Sequence, residues 1–341
     1  QKTWHCRHWL GKKHVRNSVG NYINRVPFDP RREARGPSEQ WVTLWPLSSA
    51  ESQQSLQFIE QCKPQGIVLH ADGYTLASAG PGIAKRMRER FPGLQIAGAI
   101  AGDWDRKSEP GFTDGWENSA RMAKSNRFRF LQLNCEVAWK SRPKGSGDTA
   151  LAEVKAAAPG LPIWHTSYGA PSNVDRDLVT PGHQGFGGHS GGSLWEFVDD
   201  PGDAEYEAPQ IYWGTSEGEF KDRQSQLVTA DAYARSIAMA RQQRRIAREI
   251  PIAAYLQAYN CRVDALCYTS EWYAKTQWWA VPSRVDDAGC IAVAVLSELY
   301  RRGQSVEQFQ REHGLTVDGW VGPKTYAALL PGAQWKHPQA A

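Results

Sequence analysis

Phe130-Leu-Gln-Leu-Asn-Cys-Glu-Val-Ala-Trp-Lys140 is a short apolar run that ends in one carboxylate between polar and aromatic neighbours. From Phe128 to Leu133 it has the composition of a buried strand, bounded by basic residues before it and by Ser141-Arg-Pro-Lys-Gly-Ser-Gly147 after it. A carboxylate just past the C-terminal end of a parallel strand stands where open and closed α/β folds keep their chemistry, so Glu136 is the first catalytic candidate. The plain alternative is a solvated loop residue, or the partner of a nearby arginine.

Outward from this run the chain repeats one rhythm: a short apolar run, a polar loop, then a helical stretch of ten or more residues. Strands are predicted at 41–46, 66–70, 95–101, 128–133, 162–166, 209–213, 252–259 and 276–281. Helices are predicted at 50–62, 82–91, 115–124, 149–158, 224–249, 263–273 and 287–302, the first opened by a capping box from Ser48 to Glu51. Eight βα units in roughly 260 residues match a (β/α)8 barrel. The expected fold is therefore α/β, a TIM-like barrel over 41–302, with an N-terminal arm or cap over 1–40 and a small helical module over 303–341. An open doubly wound sheet is the alternative. It would be favoured by a Gly-rich phosphate loop, and none has the dinucleotide or nucleoside-triphosphate spacing. The Gly-, Asp- and His-rich stretch 171–208 is expected to form a rim over the active face.

Composition narrows the function. The chain is 341 residues, 41% hydrophobic and 22% charged, ordinary values for a globular protein, and no run of eighteen apolar residues predicts a membrane span. The N-terminus opens at Gln1 without a recognisable secretion signal and leaves localisation open. A net charge of +4 suits approach to an anionic polymer but is too mild to argue for nucleic acid. The six cysteines are widely spaced; only Cys261 and Cys267 are near enough to suggest a local disulfide, free buried thiols are expected for most of the six in a chain this large, and a zinc site at His5, Cys6 and His8 lacks a fourth ligand. No metal or cofactor is expected. The fifteen tryptophans stand out, several at predicted strand ends, where flat apolar faces with a polar edge suit sugar rings or any large pocket.

Residues 306–329 carry the most legible motif: Phe309-Gln310, His313-Gly314-Leu315, Val317-Asp318-Gly319, Gly322-Pro323, Thr325 and Ala328-Leu329. This pattern resembles the second half of the peptidoglycan-binding domain of cell-wall hydrolases. Gly314 and Gly319 fit turns, and Pro323 fits the first position of a last short helix. The first half of that family's three-helix unit is missing, and Asp287–Arg302 is placed to serve both as the barrel's last helix and as that unit's first.

Polar groups gather at the predicted strand ends: His70 and Asp72, Asp103, Asn134 and Glu136, His165 and Tyr168, Tyr212 and Trp213, then Gln257. In a barrel these converge on one face. Two carboxylates flanking a bond, with aromatic platforms, are the minimum equipment for glycoside hydrolysis. Glu136 is cast as the acid, its pKa raised by Val137 and Trp139, and Asp72 and Asp103 compete for the second role. Asn134, Trp139, Tyr168, Gln210, Tyr212, Trp213, Gln257 and Trp279 are the candidate substrate contacts. Asn134-Cys-Glu136, Pro162 to Tyr168, Ala208 to Trp213 and Gln277-Trp-Trp279 are loosely similar to the barrels of phage and bacterial lysozyme-like glycosidases, including family-25 muramidases. That resemblance implies a peptidoglycan hydrolase with Glu136 as acid, acting at the bacterial cell wall and of endolysin or virion type. Asn134 stands where the family has an Asp. The alternative is a non-catalytic glycan-binding or phage structural protein that keeps the barrel. A Ser-His-Asp hydrolase lacks the Gly-x-Ser-x-Gly elbow.

Overall fold

The computed structural model describes residues 36–101, 114–134, 146–168, 205–211, 251, 253–259, 262–282 and 285–332. The chain-order strands are β1 (Glu39–Trp45), β2 (Gly66–Ala71), β3 (Gln95–Ala101), β4 (Leu131–Asn134), β5 (Ile163–Tyr168), β6 (Tyr206–Ile211), β7 (Ala253–Gln257) and β8 (Lys275–Pro282). Each pairs in parallel with the next, and β8 pairs with β1 to close the barrel. The eight predicted strands are all present, shifted by a few residues at their ends.

Strand alternation sorts side chains between two cores. Val42, Leu44, Ile67, Leu69, Ile96, Ile100, Leu131, Leu133 and Leu256 face outward beneath the helices. Trp41, Val68, Ala97, Ala99, Phe130, Trp164, Ala208 and Ala253 fill the inside. Large and small residues are matched there. A Cβ on Gly66 would lie 2.2 Å from the Trp41 ring, so the absent side chain is what admits the indole. Phe130 and Trp164 stack at 3.7 Å beside Trp41. At the N-terminal end, Lys275 pairs with Glu39 and lies over the Trp164 and Tyr206 rings, closing the barrel floor with a neutralised charge.

The helices are α1 (Gln53–Cys62), α2 (Gly73–Arg90), α3 (Asp114–Ser125), α4 (Ser146–Ala157), α5 (Val263–Ser270), α6 (Asp287–Arg302), α7 (Val306–Glu312) and α8 (Pro323–Leu329). Three expectations need correction. Ser48 and Glu51 form no capping box: Leu47–Ser49 is a 3-10 turn that buries Leu47, Ser52 caps α1 by accepting from Ser55 N, and Glu51 pairs with Arg86 at 2.6 Å. α2 starts at Gly73 rather than Gly82, because Asp72 caps it and the buried face of Leu76, Ile83, Ala84 and Met87 carries the helix through Pro81. Cys267 is a buried free thiol within α5, so the suggested disulfide with Cys261 does not form, whereas the expectation of free buried thiols holds for Cys267 and Cys62. The predicted helix 224–249, the rim 171–208, the arm through residue 35 and His5, Cys6 and His8 lie outside the described residues.

α6 runs over the residues predicted for it. Asp286 caps its start by accepting from Gly289 N at 2.9 Å, and Gly303 ends it in the left-handed region. A Cβ on Gly289 would lie 2.0 Å from Ala258 O, so glycine is what lets the helix approach the barrel wall this closely. α6 packs on α1 and β1, and also on α8. Val306, Phe309, Val321, Tyr326 and Leu329 bury into the same outer core as Ile291, Val295 and Leu299 of α6. One helix thus serves both barrel and module. The seam is held further by Val306 N donating to Glu271 Oε1 at 2.6 Å and by Trp320 stacked on Tyr268 at 4.3 Å. Among the described residues no helix is long and apolar enough to cross a membrane.

Candidate active face

The C-terminal ends of the strands bring together inward-facing side chains that are distant in sequence. Gln210 Nε2 on β6 donates to Asn134 Oδ1 on β4 at 3.2 Å, and both residues are buried. Gln257, fully buried on β7, donates to Tyr259 O at 2.9 Å and lies in register with Trp279 on β8. The Trp279 ring contacts Trp45 at 5.4 Å, His70 at 5.3 Å and Tyr255 at 5.8 Å. Trp45 keeps 36% of its surface exposed, so an indole stands open at the mouth.

One layer deeper lies a polar ring. Thr43 Oγ1 accepts from Tyr255 Oη and from Gln277 Nε2, each at 2.9 Å, and Gln277 Nε2 also donates to Gln132 Oε1 at 2.8 Å. Gln277 Oε1, Gln132 Nε2 and both ring nitrogens of His70 are buried without a hydrogen-bond partner. Buried polar atoms are nearly always satisfied, so these orphans beneath the C-terminal face leave hydrogen-bonding capacity that a polar ligand could use. Burial pushes the His70 pKa down to about 4, so the imidazole is neutral at physiological pH and can both donate and accept.

Of the predicted site residues, Asn134, Gln210, Gln257 and Trp279 meet on this face. Tyr168 ends β5 opposite Gln210 in register. Asp72 stands just beyond β2 as the N-cap of α2, accepting from Thr75 N at 2.9 Å. Partial burial raises its pKa, but hydrogen bonds from the Thr75 hydroxyl and from the Thr75 and Tyr74 amides outweigh this and hold it below the usual carboxylate range. Glu136, Asp103, Trp139, Tyr212 and Trp213 lie outside the described residues. Thr43, Gln132, Tyr255 and Gln277, the polar ring, are absent from the sequence-derived candidates, and His70, named among the polar strand ends, is given no role there. The ring's signal was the i, i+2 spacing of polar residues inside apolar strands, as in Gln132 and Asn134 or Gln277 and Trp279. Among the described residues no three His, Cys, Asp or Glu side chains cluster as metal ligands. Amides, a neutral imidazole and indoles suit an uncharged polyhydroxylated ligand.

Residues 303–329 match the profile of the family described as "Putative peptidoglycan binding domain". No curated protein matches the chain significantly. Among solved structures, a GH18 chitinase from Pseudoalteromonas aurantia superposes with a TM-score of 0.46 at 10% identity, over 78% of this chain and 100% of that one. A homocysteine methyltransferase from Escherichia coli gives 0.44 at 11% identity, over 79% and 100%. The two are named for unlike activities, and at such scores neither activity carries over to this chain.

Proposed function

We propose that the chain is a peptidoglycan hydrolase, a lysozyme-like glycosidase that cleaves the wall glycan with Glu136 as general acid. The observation that carries this reading is the pairing of a peptidoglycan-binding motif at 303–329 with a barrel whose strand ends present amides and indoles. Glu136 protonates the leaving oxygen, and Asp72 or Asp103 supplies the ionised second carboxylate. Asp72 is ionised at neutral pH, as that role requires, although one of its oxygens is engaged in capping α2. Asn134, Gln210 and Gln257 present amides to the sugar's acetamido and hydroxyl groups, and Trp45 and Trp279 are platforms for its rings. Tyr168, Tyr212, Trp139 and Trp213 complete the subsites.

A second reading, a glycan binder without turnover, is favoured by the Gln210–Asn134 bond. It puts an amide pair, which can orient a sugar but cannot take a proton, where a muramidase has a carboxylate. Release of reducing ends from purified peptidoglycan separates the two. Wild-type activity that falls on the order of a thousandfold in Glu136→Gln supports the hydrolase. Inactivity of the wild type, with sedimentation on the wall intact, supports the binder.

A further inference from the structure

At the other end of the barrel, where β3, β4 and β5 begin, a cavity of about 430 Å3 is lined by Arg88, Lys124, Arg127 and Arg129 and by no carboxylate. Its remaining wall is largely apolar and backbone, from Ile96, Phe128 and the 159–162 loop. Three other surface cations of the same two helices have carboxylate partners, Lys85 with Glu89 at 3.9 Å, Arg86 with Glu51 at 2.6 Å and Arg121 with Glu117 at 2.6 Å, and Arg90 lies over the Phe91 ring. Those around the cavity have no carboxylate partner among the described residues; Arg88 donates instead to Arg127 O at 3.1 Å. Burial and then the Arg127 charge pull the Arg88 pKa below its usual value, so the cluster is held against its own repulsion. Arg127 has a φ of 55°, left-handed backbone that a residue with a side chain adopts at a cost, yet the turn carries a cation rather than glycine. Arg129 shares the neighbourhood of Tyr206 with Glu205 and Glu39, but Glu39 is taken by Lys275 and neither lines the cavity.

We propose that this N-terminal cavity binds a phosphodiester polyanion, the polyol-phosphate chain of a bacterial wall, at the opposite end of the barrel from the candidate active face. One-signed charge in a concave site concentrates anions, and three arginine forks match phosphate oxygens. The cavity is far larger than one phosphate and opens to solvent, which fits a chain of anions rather than a single ion. The choice of a wall polymer rests on the cell-wall reading above; the preference for phosphate rests on the cations alone.

The test is titration of the full chain with poly(glycerol phosphate), inorganic phosphate and an oligonucleotide of equal charge. Lys124→Glu/Arg129→Glu, both at exposed positions, is expected to weaken polymer binding at least tenfold and steepen no other property, while Lys85→Glu outside the cavity changes it less than twofold. Arg127→Gly, which suits the backbone there, is expected to keep or raise the melting temperature and still weaken binding. No polymer binding by the wild type, equal binding by the double variant, inorganic phosphate binding as tightly as the polymer, or a preference for the oligonucleotide would each overturn the proposal. Sedimentation on sacculi with and without their phosphate polymer separates the two readings. Equal binding to both sacculi overturns the polyanion site and leaves the wall reading standing. Binding to neither fails the wall reading, and the soluble polymer then decides the cavity.

Discussion

Two buried glutamines organise this molecule, one in the C-terminal module and one inside the barrel, and they are finished to different degrees. Gln310 is satisfied at both ends: Nε2 donates to Asp318 Oδ1 and Trp320 O at 2.9 Å and to Thr325 Oγ1 at 3.2 Å, while Oε1 accepts from Asp318 N at 3.1 Å and Gly319 N at 3.0 Å. Gln277 donates to Thr43 and Gln132, but its carbonyl oxygen is an orphan. A complete network locks a turn and a helix into one arrangement. An incomplete one, beneath a neutral His70 and an open Trp45, leaves hydrogen-bonding capacity at the mouth of the barrel. The module's polar centre is thus complete in itself, and the barrel's keeps unmet hydrogen-bonding capacity.

Gln310→Leu should have the largest effect, about 3 to 5 kcal/mol, because it strands several buried donors and acceptors at once. Urea unfolding followed at Trp320 would read it; a loss below about 1 kcal/mol would break the contrast. Next comes His70. Its folded pKa lies below its usual one, so its stabilising contribution is full above about pH 6.5 and is lost as pH falls toward about 4, on the order of 3 kcal/mol in total. His70→Phe should flatten that acid limb relative to wild type, and identical pH profiles would mean the ring is solvated. At the seam, burial and then the Glu307 charge raise the Glu271 pKa to about 7 against the pull of the Val306 amide. A carboxyl with a raised folded pKa makes the fold less stable as pH climbs from about 4.5 to 7. The cost is about 2 kcal/mol, because Glu271 keeps part of its surface in water. Glu271→Gln should therefore match wild type at pH 5 and melt higher at pH 8; a lower melting temperature at both would refute this. The smallest effect is expected from Gln277→Leu, about 1 kcal/mol, since removing its orphan oxygen offsets part of what Thr43 and Gln132 lose. If it cost as much as Gln310→Leu, the barrel ring would be structural after all.

The two centres also differ in how far they could be read from sequence. All partners of Gln310 lie within fifteen residues of it, so glycine turns, Pro323 and the spacing of Phe309, Asp318 and Thr325 display the module as a local pattern. Gln277 reaches 145 residues to Gln132 and 234 to Thr43, and no local pattern records such a contact. The helix at Gly73 was hidden because Gly80 and Pro81 look like breakers, while the burial that outweighs them is tertiary. The Ser48 box failed in the same way: its residue types are right, but Leu47 is drawn into the core and turns the chain first.

By itself the sequence determined the alternation of strand and helix, hence a parallel sheet of eight strands, and the motif resembling a peptidoglycan-binding domain, because periodicity and turn chemistry are properties of neighbouring residues. Only the tertiary structure decided that the sheet closes through β8 and β1, that Asn134 is tied to Gln210, that His70 is buried and neutral, and that four cations surround one cavity at the barrel's N-terminal end. Each of these depends on which distant strands closure brings side by side, and on how much water that closure expels.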